Sequence, residues 1–297
     1  MTAAPIHEPV LLAETVALLA PARGGLFVDC TVGLGGHAQA LLAAGATRLI
    51  GLDRDTAALG IAAQSLSTWQ GRVELVHADF RELPAVLATR GIDVMAGCLA
   101  DLGVSSMQFD AEGRGFSFRR DEPLDMRMDQ TQGPTAADLL ADTGEEDLAN
   151  VIFQYGEERY SRRIARGVVE ARRTGRIGTT GQLAQIVRRA VPRKGYQRID
   201  PATRTFQALR IWVNRELDGL DEFLGAASKL LAAGARLAVI TFHSLEDRIV
   251  KHAFRALAAG EEALRVLTRK PVIPGEAEVA RNPRARSAKL RAIERLA

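Results

Sequence analysis

In the first hundred residues, short β-rich runs alternate with stretches of helical periodicity. Between the runs lie segments such as "GHAQALLAAG" and "DTAALGIAAQSLSTW", which have a helical pattern. Strands that alternate with helices are typical of a parallel, doubly wound sheet. Four strands are predicted, over Leu26–Cys30, Arg48–Asp53, Val73–His77 and Ile92–Ala100.

The alternation stops near Ser105 and no convincing strand follows until about Thr203. Helix starts occur instead, because "TGEE" (Thr143–Glu146) and "TTGQ" (Thr179–Gln182) both have the pattern of a capping box. We therefore predict an all-helical insertion over residues 106–205, between the fourth and fifth strands.

The sheet pattern resumes after the insertion. One apolar stripe from Phe206 to Leu231, at intervals of three or four residues, predicts a long helix that Gly234 ends. A fifth strand is predicted over 235–242, a helix in "SLEDRIVKHAFRAL", and two closing strands in "LRVLTRK" and "SAKLRAIERL". The sequence thus predicts an α/β fold with a seven-stranded sheet, formed by residues 1–105 and 206–297.

Composition limits the class of protein. The chain has 297 residues and contains no run of eighteen apolar residues, so we expect no membrane span. The first residues lack a basic segment ahead of an apolar one, so no signal peptide is predicted. The two cysteines, Cys30 and Cys98, lie in apolar runs and are expected to be reduced, buried thiols of a cytoplasmic protein.

Positive charge is concentrated in one segment. Residues 157–215 carry fifteen Lys/Arg and four Asp/Glu, a net charge of +11, whereas the whole chain carries only +3. A second basic stretch covers residues 281–295, with six basic residues and one acidic residue. Clustered cations release counterions from phosphate groups, so a polyanion-binding face is favoured over a merely solvated surface.

A glycine-rich turn follows the first strand. In "FVDCTVGLGGH", Gly33, Gly35 and Gly36 open a helix directly after a strand, which allows close approach of backbone N–H groups to a ligand. Asp53 ends the second strand and could accept both hydroxyls of an adenosine ribose. The pattern fits a dinucleotide or S-adenosylmethionine (AdoMet), and a tight turn without ligand or a helix cap at Asp53 stay possible.

Two later features favour a methyltransferase that acts on nitrogen. "HADF" places Asp79 and Phe80 after the third strand, where an adenine could be held. "CLADLGVSS" places Asp101 at the carboxyl end of the fourth strand, where such sheets bind ligands. A carboxylate there can accept a hydrogen bond from an exocyclic amine and orient its lone pair. The histidine or Tyr–Lys pair of a hydride-transferring enzyme is not recognisable.

Several strings together resemble one family, bacterial 16S rRNA (cytosine-N4) methyltransferases of the ribosomal RNA small subunit methyltransferase H type. The match runs from His7 to about Arg295. The resemblance implies a class I (Rossmann-like) AdoMet-dependent methyltransferase with an inserted helical RNA-recognition domain, which methylates N4 of a cytidine in the decoding region of 16S rRNA. The strings are "HEPVLLAETVALL", "DCTVGLGGH", "GLDRD", "DLGVSS", "RGFSFRRDEPLDMRMD", "YGEERYSRRIAR", "PATRTFQALRIWVNREL", "FHSLEDRIVK" and "NPRARSAKLRAIER".

Asp101 is the expected catalytic residue because of its position at the end of the fourth strand, and the resemblance implies a set of AdoMet contacts residue by residue. Met107 stands where the family commonly has proline. Together with Gly33 from the turn, the expected cofactor residues are Gly35, Gly36, His37, Asp53, Phe80, Asp101 and Gln108.

Candidate RNA contacts come from the basic and rim positions. Arg204 and Arg210 in "PATRTFQALRIWVNR" are expected to contact the RNA backbone, whereas burial is favoured for Trp212. His243 follows the fifth strand and should face the rim that carries Asp101. The five histidines are scattered without ligand spacing, so no metal is predicted. The expected partner is 16S rRNA in the small ribosomal subunit, with the oligomeric state, including a homodimer, left open.

Three other functions stay open from the sequence. An N4 or N6 methyltransferase acting on DNA is disfavoured by the large insertion and by the lack of a D-P-P-Y/F motif. A nicotinamide-dependent oxidoreductase would reveal itself by a change in cofactor absorbance. A non-catalytic AdoMet-binding RNA chaperone would leave the mass of the RNA unchanged.

Overall fold

The computed structural model describes residues 9–192, 199–260 and 263–297. His7, where the family resemblance begins, and Arg193, Lys194 and Arg198 of the basic segment lie outside these ranges. The chain divides into two compact units. The first contains the residues up to Gly103 together with Gly219–Ala297, and the inserted unit is Val104–Asp218.

A seven-stranded sheet forms the centre of the first unit, with strand order β3-β2-β1-β4-β5-β7-β6. All seven strands occur where the sequence predicts them, although β5 begins four residues earlier than expected and β6 is shorter. Their bounds are β1 Leu26–Asp29, β2 Arg48–Asp53, β3 Val73–His77, β4 Met95–Asp101, β5 Leu231–Thr241, β6 Leu264–Val266 and β7 Lys289–Arg295.

The direction of the strands identifies the fold. β1 to β5 pair in parallel, and β7 inserts antiparallel between β5 and β6. This order confirms the predicted α/β class I methyltransferase fold. Because parallel strands end at the same edge, Asp29, Asp53 and Asp101, the last residues of β1, β2 and β4, share the carboxyl edge of the sheet.

Helices cover the sheet of the first unit and build the inserted unit. In the described residues, α1–α4 and α11–α13 belong to the first unit, and α5–α10 to the inserted unit. Their bounds are α1 Leu12–Leu19, α2 Gly36–Ala43, α3 Thr56–Ser65, α4 Leu83–Ala88, α5 Ser106–Asp110, α6 Ala136–Asp142, α7 Glu145–Gly156, α8 Ser161–Arg172, α9 Thr180–Ala190, α10 Ala202–Asn214, α11 Leu220–Lys229, α12 Ser244–Ala259 and α13 Glu276–Arg281.

The single long helix predicted from Phe206 is wrong. The chain forms α10 and α11 instead, because Arg215 (φ 49°) and Gly219 (φ 65°) adopt left-handed conformations that interrupt the helix. Gly234 does not end a helix but lies within β5. Phe206 and the rest of the buried face of α10 belong to the hydrophobic core of the inserted unit. The inserted unit therefore ends at Asp218, and not at the predicted residue 205.

One of the two predicted capping boxes is present. Thr179 caps α9, with its side chain accepting from the Gln182 amide and the Gln182 side chain accepting in return. The box at Thr143 is wrong, because α7 starts one residue later and Gly144 is its N-cap residue. The Thr143 hydroxyl donates to the Leu139 carbonyl at 2.6 Å, so it satisfies the C-terminus of α6.

Apolar side chains cover both faces of the sheet. Val28 and Phe254 belong to the core on one face, and Phe27 and Leu41 to the core on the other. Cys30 and Cys98 are buried with free thiols, and their sulfurs lie 3.5 Å apart. Within the described ranges, no helix is long and apolar enough to cross a membrane.

Candidate active site

The glycine-rich turn connects β1 to α2 and requires glycine for two different reasons. Gly33 (φ 53°) and Gly35 (φ 89°) are in the left-handed region, where a Cβ is strained. At Gly36 a Cβ would lie 2.4 Å from Cγ of Pro9, so this position needs glycine for packing. The turn leaves the first N–H groups of α2 at the carboxyl edge, where an anionic ligand group can accept from them.

Asp53 ties the end of β2 to this turn. One carboxylate oxygen accepts from the Gly33 amide at 2.8 Å and the other accepts from the Asp55 amide at 2.8 Å. Burial raises the pKa of Asp53, although these two hydrogen bonds oppose the shift. Asp55, and not Asp53, is the N-cap residue of α3. The contact between Asp53 and a ribose therefore stays a prediction. The two hydrogen bonds already hold the carboxylate in place.

A cluster of three buried or half-buried titratable residues lies at the ends of β1 and β4. Asp29 is 1 % exposed and His37 6 %. Nε2 of His37 lies 3.6 Å from Oδ2 of Asp101, an ion-pair distance that is longer than a hydrogen bond. The charges of both other residues act on the pKa of Asp29: His37 lowers it and Asp101 raises it. The turn and the β4 strand end therefore bring together two predicted site residues, His37 and Asp101, with a third that the sequence analysis missed.

The polar atoms of this cluster are incompletely satisfied. Among the described residues no hydrogen-bond partner exists for Oδ2 of Asp29, for either ring nitrogen of His37, or for Oδ1 of Asp101. Each unsatisfied buried polar group costs about 1–3 kcal/mol, so such atoms are uncommon unless a ligand or water completes them. The cluster therefore presents both hydrogen-bond donors and hydrogen-bond acceptors. A ligand that carries both an ammonium group and a carboxylate group requires both kinds of partner.

Burial and neighbouring charges shift two of the three pKa values. Burial raises the pKa of Asp29 from 3.8 to about 7, although the His37 charge opposes this. For His37, burial favours the neutral form, but Asp101 and Asp29 outweigh it, so the pKa is raised. Near neutral pH, the cluster can therefore hold or release protons around a bound ligand.

The raised pKa of Asp29 predicts how stability depends on pH. Between pH 4 and about 7, the folded chain keeps a proton that the unfolded chain has lost, so the free energy of unfolding falls as pH rises. The slope from this one proton is at most about 1.4 kcal/mol per pH unit. Asp29→Asn imitates the neutral carboxyl, so its stability should fall less over this range. Denaturant titrations at several pH values measure the difference, and parallel curves for both proteins would contradict the assignment.

The sequence does carry a signal for Asp29. In "FVDC" an acid stands at the end of an apolar strand, directly before the glycine turn. The structure places its Oδ1 3.2 Å from the Thr31 amide, and the Thr31 hydroxyl accepts from the Asp101 amide at 2.6 Å. Thr31 thus connects the end of β1 to the end of β4.

Asp79 and Phe80 lie after β3 as predicted, but both are engaged within the protein. The Phe80 ring is buried and meets Phe223 edge-on, with centroids 4.9 Å apart. The Asp79 carboxylate forms a bidentate pair with Arg81, at 2.7 and 2.9 Å, and also accepts from the Arg81 amide. An adenine amino group would have to share this carboxylate with Arg81, so the adenine contacts remain predictions.

Gln108 lies in the inserted unit and is buried. Its side chain accepts from the Ser105 amide at 2.9 Å, while the Ser105 side chain accepts from the Gln108 amide at 3.3 Å. The pair forms a capping box at the start of α5, and the pattern S-x-x-Q in the sequence was sufficient to predict it. A cofactor contact for Gln108 stays a prediction beside this structural role.

The predicted RNA contacts differ in how freely they are exposed. The Arg204 side chain is 58 % exposed; it lies 4.0 Å from the Glu158 carboxylate and donates a long hydrogen bond, 3.5 Å, to the Glu157 carbonyl. The Arg210 side chain is 13 % exposed and forms a bidentate pair with Glu216, at 2.9 and 2.8 Å. The structure thus leaves Arg204 accessible to RNA and favours a structural role for Arg210.

His243 is the N-cap residue of α12. Its Nδ1 accepts from the Glu246 amide at 3.4 Å, and the Glu246 carboxylate accepts from the amides of Phe242 and His243. Nε2 lies 3.0 Å from the same carboxylate without hydrogen-bond geometry. With 7 % of its side chain exposed, His243 has a defined structural role, and its substrate contact stays a prediction.

Comparisons with known proteins match nearly the entire chain. The family model described as "MraW methylase family" matches residues 4–296. A protein from Nitrobacter hamburgensis, named ribosomal RNA small subunit methyltransferase H, is 52 % identical over 311 residues, which cover 100 % of this chain and 93 % of that protein. A protein of the same name from Synechococcus elongatus is 52 % identical over 292 residues, with 98 % and 95 % coverage.

Among solved structures, a rRNA methylase from Streptococcus thermophilus aligns over 100 % of this chain and 99 % of that one. Its sequence identity is 13 % and its TM-score is 0.44, a likeness too weak to support a functional conclusion.

Proposed function

Because the chain belongs to the MraW methylase family, we propose that it methylates N4 of a cytidine in the decoding region of 16S rRNA, with AdoMet as methyl donor. The full-length relatives named ribosomal RNA small subunit methyltransferase H support the coarser part, methylation of small-subunit rRNA. The base, the atom and the position on the RNA go beyond those names and rest on the site.

The carboxyl edge of the sheet fits AdoMet. When bound, this cofactor supplies an electrophilic methyl group on a sulfonium. The buried, unsatisfied atoms of Asp29 and His37 would hold its ammonium and carboxylate groups, together with the first amides of α2. Asp53, at the end of β2, would accept from the ribose hydroxyls. Gly33 and Gly35 shape the turn so that backbone can approach the ligand.

The observation that supports nitrogen as the methyl acceptor is the unpaired Oδ1 atom of Asp101. This buried oxygen has no hydrogen-bond partner among the described residues, while Oδ2 faces His37. An exocyclic amine can donate to the free oxygen, which turns the lone pair of N4 towards the methyl group. Transfer would form the N–C bond as the S–C bond of the sulfonium breaks, so that a neutral thioether leaves and the positive charge passes to the nitrogen. The nitrogen would then release one proton, for which Asp101 is the adjacent acceptor. Nε2 of His37 lies 3.6 Å from the other oxygen of the same carboxylate, within ion-pair distance.

The two cysteines support nitrogen over carbon as the acceptor. Methylation at C5 of cytosine needs a thiolate that attacks the ring. Cys30 and Cys98 are the only cysteines of the chain, and both are buried, Cys30 directly after β1 and Cys98 in the neighbouring strand β4. Burial raises the pKa of Cys30 well above its usual value, so its thiol stays protonated. Neither cysteine can serve as the nucleophile that C5 chemistry requires.

The inserted unit is the part of the chain that we assign to RNA recognition. It contains the described part of the +11 segment, including the exposed Arg204. To reach a base amine, the enzyme must extrude the base, at a cost of a few kcal/mol. Contacts to flanking phosphates offset this cost, and they make binding sensitive to salt.

Two arginines of α10 provide a matched test of this assignment. Arg204→Gln should raise the KM for small ribosomal subunits by about threefold to tenfold without a change in Tm, because one exposed phosphate contact is lost. Arg210→Gln should instead lower Tm, because it leaves the buried Glu216 carboxylate without its partner, a loss of about 3–5 kcal/mol. Initial rates and thermal unfolding separate the two effects. An unchanged KM for Arg204→Gln would show that Arg204 does not contact the RNA.

The choice between nitrogen and carbon can be tested directly. Small-subunit RNA that carries tritium at C5 of its cytidines should accept methyl groups from AdoMet and release no tritium. Methylation at C5 would instead release one tritium for each methyl group transferred. Equal release and transfer would therefore overturn the proposal while leaving the methyltransferase assignment intact.

The runner-up, an amino-methyltransferase that acts on DNA, is disfavoured because the relatives are named for ribosomal RNA. Methyl transfer to duplex or single-stranded DNA, at a rate comparable with that on small subunits, would revive it. An enzyme that acts on ribosomal RNA works in the cytoplasm, which is the localisation we propose.

A further inference from the structure

A second cationic site lies in the first unit, away from the Asp29–His37–Asp101 cluster. A cleft of about 290 Å³ opens between α12 and the β6–β7 pair. Among the described residues that line it, every charged one is a cation: Lys251 and Arg255 from α12, Arg269 after β6, and Arg291 from β7. Its base is formed by Phe254, which is 1 % exposed.

One of the four cations is fixed in position. Arg291 is buried, and its Nε donates to Oδ1 of Asp247 at 2.7 Å. Oδ2 of the same carboxylate accepts from Lys289 at 3.0 Å. Burial alone would raise the pKa of Asp247, but the two cations outweigh it and lower the pKa. One carboxylate is thus shared by two cations, and it holds the Arg291 guanidinium rigidly at the wall of the cleft.

The other three cations have no partner within the described ranges. Lys251, Arg255 and Arg269 form no hydrogen bond or ion pair with any residue that the structure describes. Arg255 and Arg269 are exposed and Lys251 is half-buried. Like charges that converge on one cleft repel each other, so an anion that enters it gains attraction from the three unpaired cations, in addition to the N–H donors of Arg291.

We propose that this cleft binds a phosphate group of the RNA backbone. Guanidinium groups recognise phosphate through paired N–H donors, and the fixed Arg291 provides one such group without further loss of side-chain entropy. The source is RNA because of the position of the cleft in the sheet. Leu290 pairs with Ile240, and Ile240 pairs with Asp101.

The backbone of the neighbouring Arg291 is therefore separated from that of Asp101 by two strand spacings, about 10 Å across the sheet. The Arg291 side chain points to the face that α12 covers, opposite to Leu290. A nucleic acid that presents a base at Asp101 would carry its flanking phosphates around the carboxyl edge of the sheet to reach the cleft. The assignment of this phosphate to RNA that flanks the target base rests on the function proposed above. The positive charge of the cleft does not depend on that function.

The test compares variants that remove only exposed, unpaired cations. Arg255→Gln, Arg269→Gln and the double variant remove cations of the cleft. Lys270→Gln is the control, because Lys270 is an exposed cation next to Arg269 that neither lines the cleft nor pairs with a described residue. Equilibrium binding to unmethylated small subunits is measured over a range of salt concentrations, with AdoMet affinity measured by calorimetry.

Each cleft variant should weaken RNA binding by about fivefold to tenfold near physiological salt and reduce the slope of log K against log[salt] by about 0.7–0.9. AdoMet affinity and the Lys270→Gln control should match the wild type. If the double variant binds with the wild-type slope, or no differently from Lys270→Gln, the proposal is overturned.

Two further arms separate the sources of phosphate and the two proposals. Inorganic phosphate is titrated into wild type and the double variant, with thermal stabilisation as the readout. If phosphate stabilises only the wild type while both bind subunits equally, the ligand is free phosphate, and the assignment to RNA is wrong. If the wild type methylates no cytidine but the double variant still loses salt-dependent RNA binding, the proposed function fails and the cleft assignment stands.

Discussion

Asp101→Asn is expected to lower the rate of methylation, at saturating AdoMet and RNA, by a factor of about 10²–10⁴. Asparagine preserves the size of the side chain but cannot take up a proton from the amine. Its NH₂ group would also face either His37 or the incoming N4, both of which donate. Single-turnover methylation with small subunits measures the effect on the chemical step, separately from product release.

Two controls accompany this variant. Its far-ultraviolet circular dichroism should match the wild type, because the Asp101 amide and its hydrogen bond to Thr31 are unchanged. AdoMet affinity should fall far less than the rate. Near-normal turnover in Asp101→Asn would show that this carboxylate does not orient the amine, and the mechanism would have to be abandoned.

Asp53→Ala is expected to weaken AdoMet binding by a factor of about 10² or more. The carboxylate accepts from the Gly33 and Asp55 amides, so its loss leaves two donors without partners, at about 1–3 kcal/mol each. It also removes the proposed acceptor for the ribose. Isothermal calorimetry measures the dissociation constant, and amide hydrogen exchange at residues 31–36 reports whether the turn has loosened.

Asp55→Ala is the matched control, since Asp55 lies two residues away and caps α3. Its loss should lower the free energy of unfolding by about 0.5–2 kcal/mol, as for other N-cap residues. AdoMet affinity should stay within about twofold of the wild type, since the Asp53 carboxylate keeps its bond to Gly33. If Asp53→Ala binds AdoMet with the wild-type affinity, Asp53 does not contact the ribose.

The positions of the parallel strands could be predicted from the sequence because they are mainly apolar runs bounded by glycine or charged residues, and β7 because apolar and charged residues alternate along part of it. Places where one residue changes the backbone direction could not. The break between α10 and α11 depends on the left-handed conformation of Arg215, a residue that does not favour it. The apolar periodicity continues across the break, so the pattern predicted one helix where two exist.

For the candidate site, the sequence predicted which residues lie at the ends of strands. Asp53 and Asp101 could be placed at the carboxyl edge because they end predicted strands, and His37 because it follows the glycine turn. Side-chain pairing is not visible in a linear pattern. Arg210 was predicted to contact RNA, but it forms a buried pair with Glu216, and His243 was predicted at the rim but caps α12. Whether an arginine is free depends on neighbours that the fold brings to it.

We propose that this chain transfers the methyl group of AdoMet to N4 of a cytidine in small-subunit rRNA. Incubation of the protein and radiolabelled AdoMet with small ribosomal subunits from cells that lack the enzyme, followed by nucleoside mass spectrometry, tests this directly. Label is expected in N4-methylcytidine, at one site per subunit. Label in 5-methylcytidine or in another nucleoside, or no label although calorimetry shows AdoMet binding, would contradict it.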